Sequence, residues 1–292
     1  MKNFTGIITA LVTPFRDGAV DDDALEAIVN WQIAEGVHGL VPCGTTGESA
    51  TLSHEEHRHV IKRVVEMALG RVPVIAGAGS NSTDKAVLLA QEAQANGAQA
   101  ALSVVPYYNK PSQDGIYAHF EAIHNNCDIP IILYNIPGRS VVNMGDELIA
   151  RLSELPRVVG VKDATGNLAR VSGLRDLAGP DFIQLSGEDM TVVGFNAMGG
   201  SGAISVTSNV APALTAKVQE LTLQGDFEAA LSLHDSMVNL HDAMFCAPSP
   251  APAKYALSRM GKCTAEVRLP ITQLNDEQKK QVDAALADLN LI

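Results

Sequence analysis

Short, unbroken apolar runs set the strongest limit on what this chain can fold into. They lie at residues 6–12, 39–41, 72–76, 100–105, 129–134, 158–161, 182–185 and 202–205, and each is followed by a longer segment of helical period. The runs do not alternate polar with apolar, as half-exposed strands would. Continuous runs are the mark of parallel strands covered on both faces. In the segment after Asp21, residues Leu25, Ile28, Val29 and Ile33 share one helical face. Ser53 stands three positions before Glu56, the spacing of a capping box opening another helix. Further helices are predicted near 82–96, 113–125, 146–152, 167–177, 190–198 and 212–223. Eight strand–helix units closing on one another make an α/β fold, a (β/α)8 TIM barrel, with an open doubly wound sheet as the competing arrangement. Beyond residue 225 the strand signal stops, and helical segments near 226–243, 250–260 and 276–290 follow. The predicted division is a barrel over 1–224 carrying the site and a C-terminal helical subdomain over 225–292.

Charge and cysteine usage narrow the function. A formal net charge of −12 repels a phosphate backbone, so nucleic acid is not the expected partner. The opening MKNFTGIITALVTPF is interrupted by Thr9, Thr13 and Pro14 and reads as a first strand rather than a secretory leader. No apolar run reaches the length that spans a bilayer, so no membrane partner is expected. Cys43, Cys127, Cys246 and Cys263 are scattered without a C-x-x-C pair, which suits a reducing, cytoplasmic setting and no structural metal. HEEH at 54–57 has its histidines three apart, whereas zinc-protease chemistry needs four. GAGSNS at 77–82 lacks the third glycine of a dinucleotide loop.

A barrel of this kind carries its reactive groups at the carboxyl ends of the strands. On that rim fall GTTGE (44–48), PYYNKP (106–111), Tyr134 with NIPGRS, Lys162, SGED (186–189) and SGAISV (201–206). Lys162 ends the run VVGVK. It is a solvated strand end, a partner for Asp163, or a nucleophile. A free lysine, with a pKa near ~10.4, is an amine only about one part in ~10³ at neutral pH. At the mouth of an apolar barrel the ammonium loses hydration, and the freed amine can attack a ketone to form a Schiff base. Hydroxyls at neighbouring strand ends favour that reading. Tyr134 can exchange a proton with the carbinolamine. Thr45 and Thr46, in a glycine-bounded loop, can hold a small carboxylate. Arg139 can clamp a second one through its planar fork. Tyr107 and Tyr108 are adjacent and, in an extended stretch, point opposite ways, one toward the site and one toward a partner surface.

Taken together, GTTGE, PYYNKPSQDG, YNIPGRS, GVKDATGN and SGAISVT, in that order, resemble the dihydrodipicolinate synthase family. These are pyruvate-dependent class I aldolases whose superfamily also holds N-acetylneuraminate lyase. The similarity runs from GIITALVTPF to RLPIT at 268–272. The resemblance implies that pyruvate condenses with Lys162, its carboxylate resting on Thr45 and Thr46. The enamine then attacks the aldehyde of aspartate semialdehyde, and cyclisation releases 4-hydroxy-tetrahydrodipicolinate for diaminopimelate and lysine synthesis. It implies a proton relay of Tyr134, Thr46 and Tyr108, with Tyr108 supplied by a neighbouring subunit and Tyr107 packing reciprocally. Gly187 and Ile204 would line the pyruvate pocket, and Arg139 would guide the semialdehyde carboxylate. Arg139 also argues against the alternative, a sialic-acid or 2-keto-3-deoxy-sugar-acid lyase. No cofactor is implied, and the assembly is a dimer of dimers. In feedback-inhibited members lysine binds at positions matching Ser49, Ala50, His54, His57, Asn81 and Tyr107. The acidic residue that meets its ammonium falls on Lys85 here, although Asp84 is adjacent. Weak or absent lysine inhibition is the resulting expectation.

Overall fold

A computed structural model describes residues 4–292; residues 1–3, the head of the stretch weighed as a leader, lie outside the described residues. The chain begins with β1 (Gly6–Ala10), a hairpin of β2 (Phe15–Arg16) and β3 (Ala19–Val20), α1 (Asp22–Ala34), β4 (Gly39–Val41), α2 (His54–Ala68), β5 (Ile75–Gly77) and α3 (Thr83–Ala95). It continues with β6 (Ala100–Val104), α4 (Gln113–Asn126), β7 (Ile131–Asn135), α5 (Pro137–Ser140), α6 (Asp146–Ser153), β8 (Val158–Asp163), α7 (Ala169–Ala178), β9 (Ile183–Ser186), α8 (Val192–Ala197), β10 (Gly202–Ser205) and α9 (Pro212–Leu223). It ends with α10 (Phe227–Asp235), α11 (Val238–Ala243), α12 (Ala251–Arg259) and α13 (Asp276–Asp288).

The eight long strands form one parallel sheet in the order β4-β1-β10-β9-β8-β7-β6-β5. Its two edges meet. Leu40 bridges Val74 in parallel, and the N–H groups of Leu40 and Gly77 donate to the carbonyls of Pro73 (3.0 Å) and Pro42 (2.9 Å). The barrel is thereby closed and the sheet has no free edge. Period-two alternation then divides the aliphatics. Ile8, Ala10, Val41, Ile75, Leu102, Ile132, Leu185 and Ile204 fill the interior, while Ile7, Leu11, Leu40, Ile131, Leu133 and Val161 pack outward against the helices. Both faces are buried, which is why the sequence runs are continuous. Each buried Val, Leu or Ile among them contributes about 1.5–3 kcal/mol of burial.

The predicted α/β barrel is present, with local corrections. Pro73 has no N–H to give a ladder, and the third barrel strand starts at Ile75 rather than 72. The hairpin β2–β3 turns at Asp17-Gly18, both with positive φ, the D-G signature that sequence reading passed over. The single helix expected over 226–243 is two. The Ser236 hydroxyl donates to the Leu233 carbonyl at 2.6 Å, competing for a helix acceptor, and the chain re-enters helix at Val238. The segment read as a helix over 190–198 opens with a 3-10 turn at Asp189–Thr191. The capping box of α2 is present in both directions between Ser53 and Glu56.

Two of the C-terminal helices reach the carboxyl rim of the barrel, while α10 packs beside α8 and α9. Helix α11 packs on the turn after β9 and α12 on the 3-10 turn after β10. All four cysteines are free, and no described helix is long and apolar enough to cross a membrane.

Candidate active site

Strand register brings the reactive groups side by side. Tyr134 pairs with Lys162 across β7–β8, and Lys162 with Leu185 across β8–β9. All three side chains take the inward face. Lys162 is 6% exposed, and its Nζ lies 4.4 Å from the centroid of the Tyr134 ring, itself 7% exposed. The next residue on β8 points the other way. Asp163 Oδ1 accepts from the Thr165 N–H (2.9 Å) and hydroxyl (2.5 Å). Its Oδ2 meets Arg170 at 2.9 Å, off the hydrogen-bond direction, so that contact is Coulombic. Asp163 is therefore held by Arg170 and Thr165 rather than by Lys162. Arg170 also reaches Asp146 at 2.6 Å and the Met144 carbonyl at 2.8 Å, while Asn135 bonds Asn143 Oδ1 and the Met144 N–H. The outward groups of both strand ends are locked in one network. The inward pair, Tyr134 and Lys162, is left for chemistry.

The loop after β4 supplies the hydroxyls. Thr46 is buried and Thr45 exposed. Glu48 and Ser49 donate backward to the carbonyls of Thr45 and Gly44, while the amides of Thr45 and Thr46 donate to no protein acceptor among the described residues. An anion can use such donors. The loop lies tight on the barrel: Thr13 Oγ1 donates to the Gly47 carbonyl at 2.8 Å, and a Cβ on Gly47 would sit 2.8 Å from the Cys43 nitrogen. The Thr46 Oγ1 accepts from Ser249 Oγ at 3.4 Å, a contact from the C-terminal segment that no local pattern announces.

Gly187 and Ile204 complete the inner wall. Gly187 donates to the Asp163 carbonyl at 2.7 Å, and a Cβ there would lie 3.1 Å from Lys162 Cε. Ile204 is 1% exposed in the barrel interior. Arg139 stands exposed on the single turn α5, which Pro137 opens directly after β7. Glu188, unassigned in the sequence reading, is half-buried beside Gly187. Burial pushes its carboxyl above the ordinary value, and Lys162 and Arg139 pull it back down.

Tyr107 and Tyr108 do not sit in an extended stretch, which corrects the alternation argument. Asn109 N–H donates to the Tyr107 carbonyl at 2.9 Å, and Tyr108, between them, has φ 73°. Such a turn is strained for a tyrosine. It throws Tyr108 outward, 88% exposed, with Tyr107 at 40%. Within one chain Tyr108 is thus separate from the Lys162–Tyr134 pair.

The second residue set surrounds the N-termini of α2 and α3. His54 Nε2 lies 2.9 Å from Glu92, and the buried His57 Nε2 donates to the Gly77 carbonyl at 2.9 Å; burial pulls His57 below the usual imidazole value. Asn81 accepts from Asn109 through its carbonyl, Ser49 is half-buried, and Ala50, Asp84 and Lys85 are exposed.

Comparison with known proteins agrees with this architecture. The family model described as the dihydrodipicolinate synthetase family matches residues 3–289. The 4-hydroxy-tetrahydrodipicolinate synthase of Cereibacter sphaeroides is 58% identical over 287 residues, covering 98% of this chain and 99% of its own. Among solved structures, the chloride-inhibited dihydrodipicolinate synthase from Acinetobacter baumannii complexed with pyruvate superposes with a TM-score of 0.97 at 42% identity, over 99% of each chain. The enzyme from Cyanidioschyzon merolae with lysine bound does so with 0.97 at 37% identity, over the whole of both chains. A closed barrel with a buried lysine paired to a tyrosine on its carboxyl rim, and a family match spanning nearly every residue, lead to one statement: the chain belongs to the dihydrodipicolinate synthetase family.

Proposed function

We propose that this enzyme, a lyase of the 4-hydroxy-tetrahydrodipicolinate synthase type, condenses pyruvate with L-aspartate 4-semialdehyde through a Schiff base on Lys162. The observation that carries the reading is the placement of Lys162: inward, 6% exposed, against the Tyr134 ring, with its neighbour Asp163 taken by Arg170. The neutral Nζ attacks the keto carbon of pyruvate, Tyr134 supplies the proton with which the carbinolamine hydroxyl leaves as water, and an imine remains. The pyruvate carboxylate rests on the amides and hydroxyls of Thr45 and Thr46. The Tyr134 phenolate takes a methyl proton to give the enamine, which bonds to the aldehyde carbon of the second substrate, and the aldehyde oxygen receives that proton as it becomes the 4-hydroxyl. That substrate's amine then attacks the imine carbon and displaces Nζ, closing the ring. Arg139, exposed at the mouth, takes the semialdehyde carboxylate.

Thr46 and Tyr108 extend Tyr134 into a proton relay, Tyr108 being supplied by a second copy of the chain. Its 88% exposure on a strained turn supports a role completed across a subunit contact, with Tyr107 packing beside it and a dimer of dimers as the assembly. Gly187 and Ile204 shape the pyruvate pocket. The free cysteines suit a cytoplasmic enzyme. The set Ser49, Ala50, His54, His57, Asn81 and Tyr107 marks a regulatory position, where the exposed Lys85 ammonium on the first turn of α3 opposes a cationic effector.

Borohydride reduction in the presence of pyruvate tests the reading. Mass spectrometry should place the adduct on Lys162 and find none in Lys162→Ala. A coupled assay should show turnover with aspartate semialdehyde and not with sugar acids. An adduct elsewhere, or none, overturns it.

A further inference from the structure

Glu48 is the last residue of GTTGE, and its side chain turns away from the rim into the C-terminal segment. Its backbone is the hub of the loop. The N–H reaches the Thr45 carbonyl at 3.1 Å, and its own carbonyl accepts from the N–H groups of Thr51 (3.0 Å) and Leu52 (3.2 Å) and from the Thr51 hydroxyl (3.2 Å). The residue sits at φ 56°, a conformation that costs a non-glycine side chain and needs to be imposed from outside. Both carboxylate oxygens are held by residues from beyond the barrel. Oε1 takes the Lys254 ammonium at 2.5 Å and Oε2 the Arg268 N–H at 2.9 Å. Lys254 is fully buried, donates also to the Glu266 carbonyl at 2.9 Å, and lies 3.9 Å from the Phe15 ring centroid, with the Arg268 guanidinium 4.2 Å from the same centroid. Arg268 donates further to the Thr51 carbonyl, and Ser249 to the Thr46 hydroxyl.

A buried ion pair is a poor way to gain stability. Desolvation offsets most of the attraction, and apolar residues of similar volume do as well. What the pair supplies is direction. Two charge-assisted bonds set where Glu48 sits, and Thr46 is two residues upstream. We propose that Lys254 is a positioning residue for the keto-acid substrate, holding the carboxylate-binding loop in register through Glu48, so that the C-terminal helices are a working part of the pyruvate site. The inference rests on the Thr45–Thr46 carboxylate reading above.

Two variants test it, each as the full chain. Lys254→Met leaves Glu48 buried without its cation. Lys254→Met/Glu48→Met removes both charges and keeps the site apolar. The readouts are the pyruvate concentration for half-maximal borohydride trapping at Lys162, KM for each substrate, and the thermal midpoint. In the single variant the trapping midpoint and the pyruvate KM should rise on the order of tenfold, less than the ~10²-fold that a 1 Å misplacement can cost, with the semialdehyde KM within about twofold of wild type. In the double variant the thermal midpoint should recover while the pyruvate midpoint stays raised. A purely structural role predicts the reverse, recovery of both together. If the single variant does not fold, the double variant alone decides. Wild-type trapping midpoints in the folded double variant overturn the positioning role. Absence of trapping at Lys162 in the wild type instead overturns the underlying substrate reading.

Discussion

Replacing Gly187 by alanine adds one methyl group where the structure has little room for it beside Lys162. Gly187 is not in the left-handed region, so the backbone accepts alanine and the effect is steric. The new Cβ would lie 2.7 Å from Ala164 Cβ and 3.1 Å from Lys162 Cε. Carbon atoms prefer ~3.5–4.0 Å. Relief therefore takes about 1 Å against Ala164 and roughly half that against the lysine stem. Ala164 is the harder neighbour to move, because its N–H is bonded to the Asn135 carbonyl at 2.9 Å. With Ala164 held, residue 187 itself has to shift, and the flexible Lys162 stem, whose Nζ lies 4.4 Å from the Tyr134 ring centroid, is displaced with it. A displacement of this size costs ~10–10²-fold at a reacting centre, while overpacking of this kind costs about 1–3 kcal/mol of stability. The expected outcome is a fall of that order in kcat/KM for pyruvate, with the adduct still forming on Lys162 but more slowly in quenched-flow borohydride trapping. The protein should remain folded, with a modest drop in urea midpoint. Trapping at the wild-type rate, in a variant shown to be folded, would refute the claim that Gly187 sets the lysine's position.

Tyr134→Phe keeps the ring against Lys162 and removes only the hydroxyl. Steady-state kcat should drop by about 10²–10⁴, and near-normal turnover would show that another group carries the proton. Arg268 binds Glu56 through both oxygens, at 2.7 and 2.6 Å, and that bonding, the largest cause, holds the Glu56 carboxyl at about 2 against an ordinary 4.5. A carboxyl depressed in the folded state stabilises fully above its unfolded value and loses that contribution as pH falls from about 4.5 toward 2. Unfolding free energies of wild type and Glu56→Gln from urea titration should therefore differ by about 1 kcal/mol at pH 7, after solvent screening of a partly exposed pair, with the gap narrowing below pH 4.5 and closing only near pH 2; a constant gap would count against it. For regulation, wild type should keep most of its activity in millimolar lysine, and Lys85→Glu should become more sensitive. Strong inhibition of the wild type below a millimolar would sink the like-charge argument.

The parts of this molecule that repeat were legible, and so were the groups that interrupt a repeat. Continuous apolar runs followed from burial on both strand faces, and eight of them implied closure. Lys162 stood out because it ends such a run. Its placement follows from the period of two: Lys162 facing in requires Asp163 to face out, where Arg170 waits on α7. Lys254 offered no such signal. It lies within PAPAKYAL, on a helix whose other buried residues are mostly alanines, and reads as one more solvated cation; its partner Glu48 is 206 positions away. A buried ion pair between distant segments disturbs neither periodicity, because each member occupies one position and the compensation comes from elsewhere in the chain. At Tyr108 the residue was singled out but its conformation was misread, for a different reason. Its φ of 73° is imposed by a three-residue turn, and nothing in PYYNKP separates that turn from an extended strand end. Both concern polar side chains whose surroundings are not set by their own element, Lys254 paired across the fold and Tyr108 turned outward at the rim. The barrel's geometry was readable from side chains that bury alone. Much of its site is built from side chains that need a partner, and that partner is set by the closed fold rather than by neighbours in the chain.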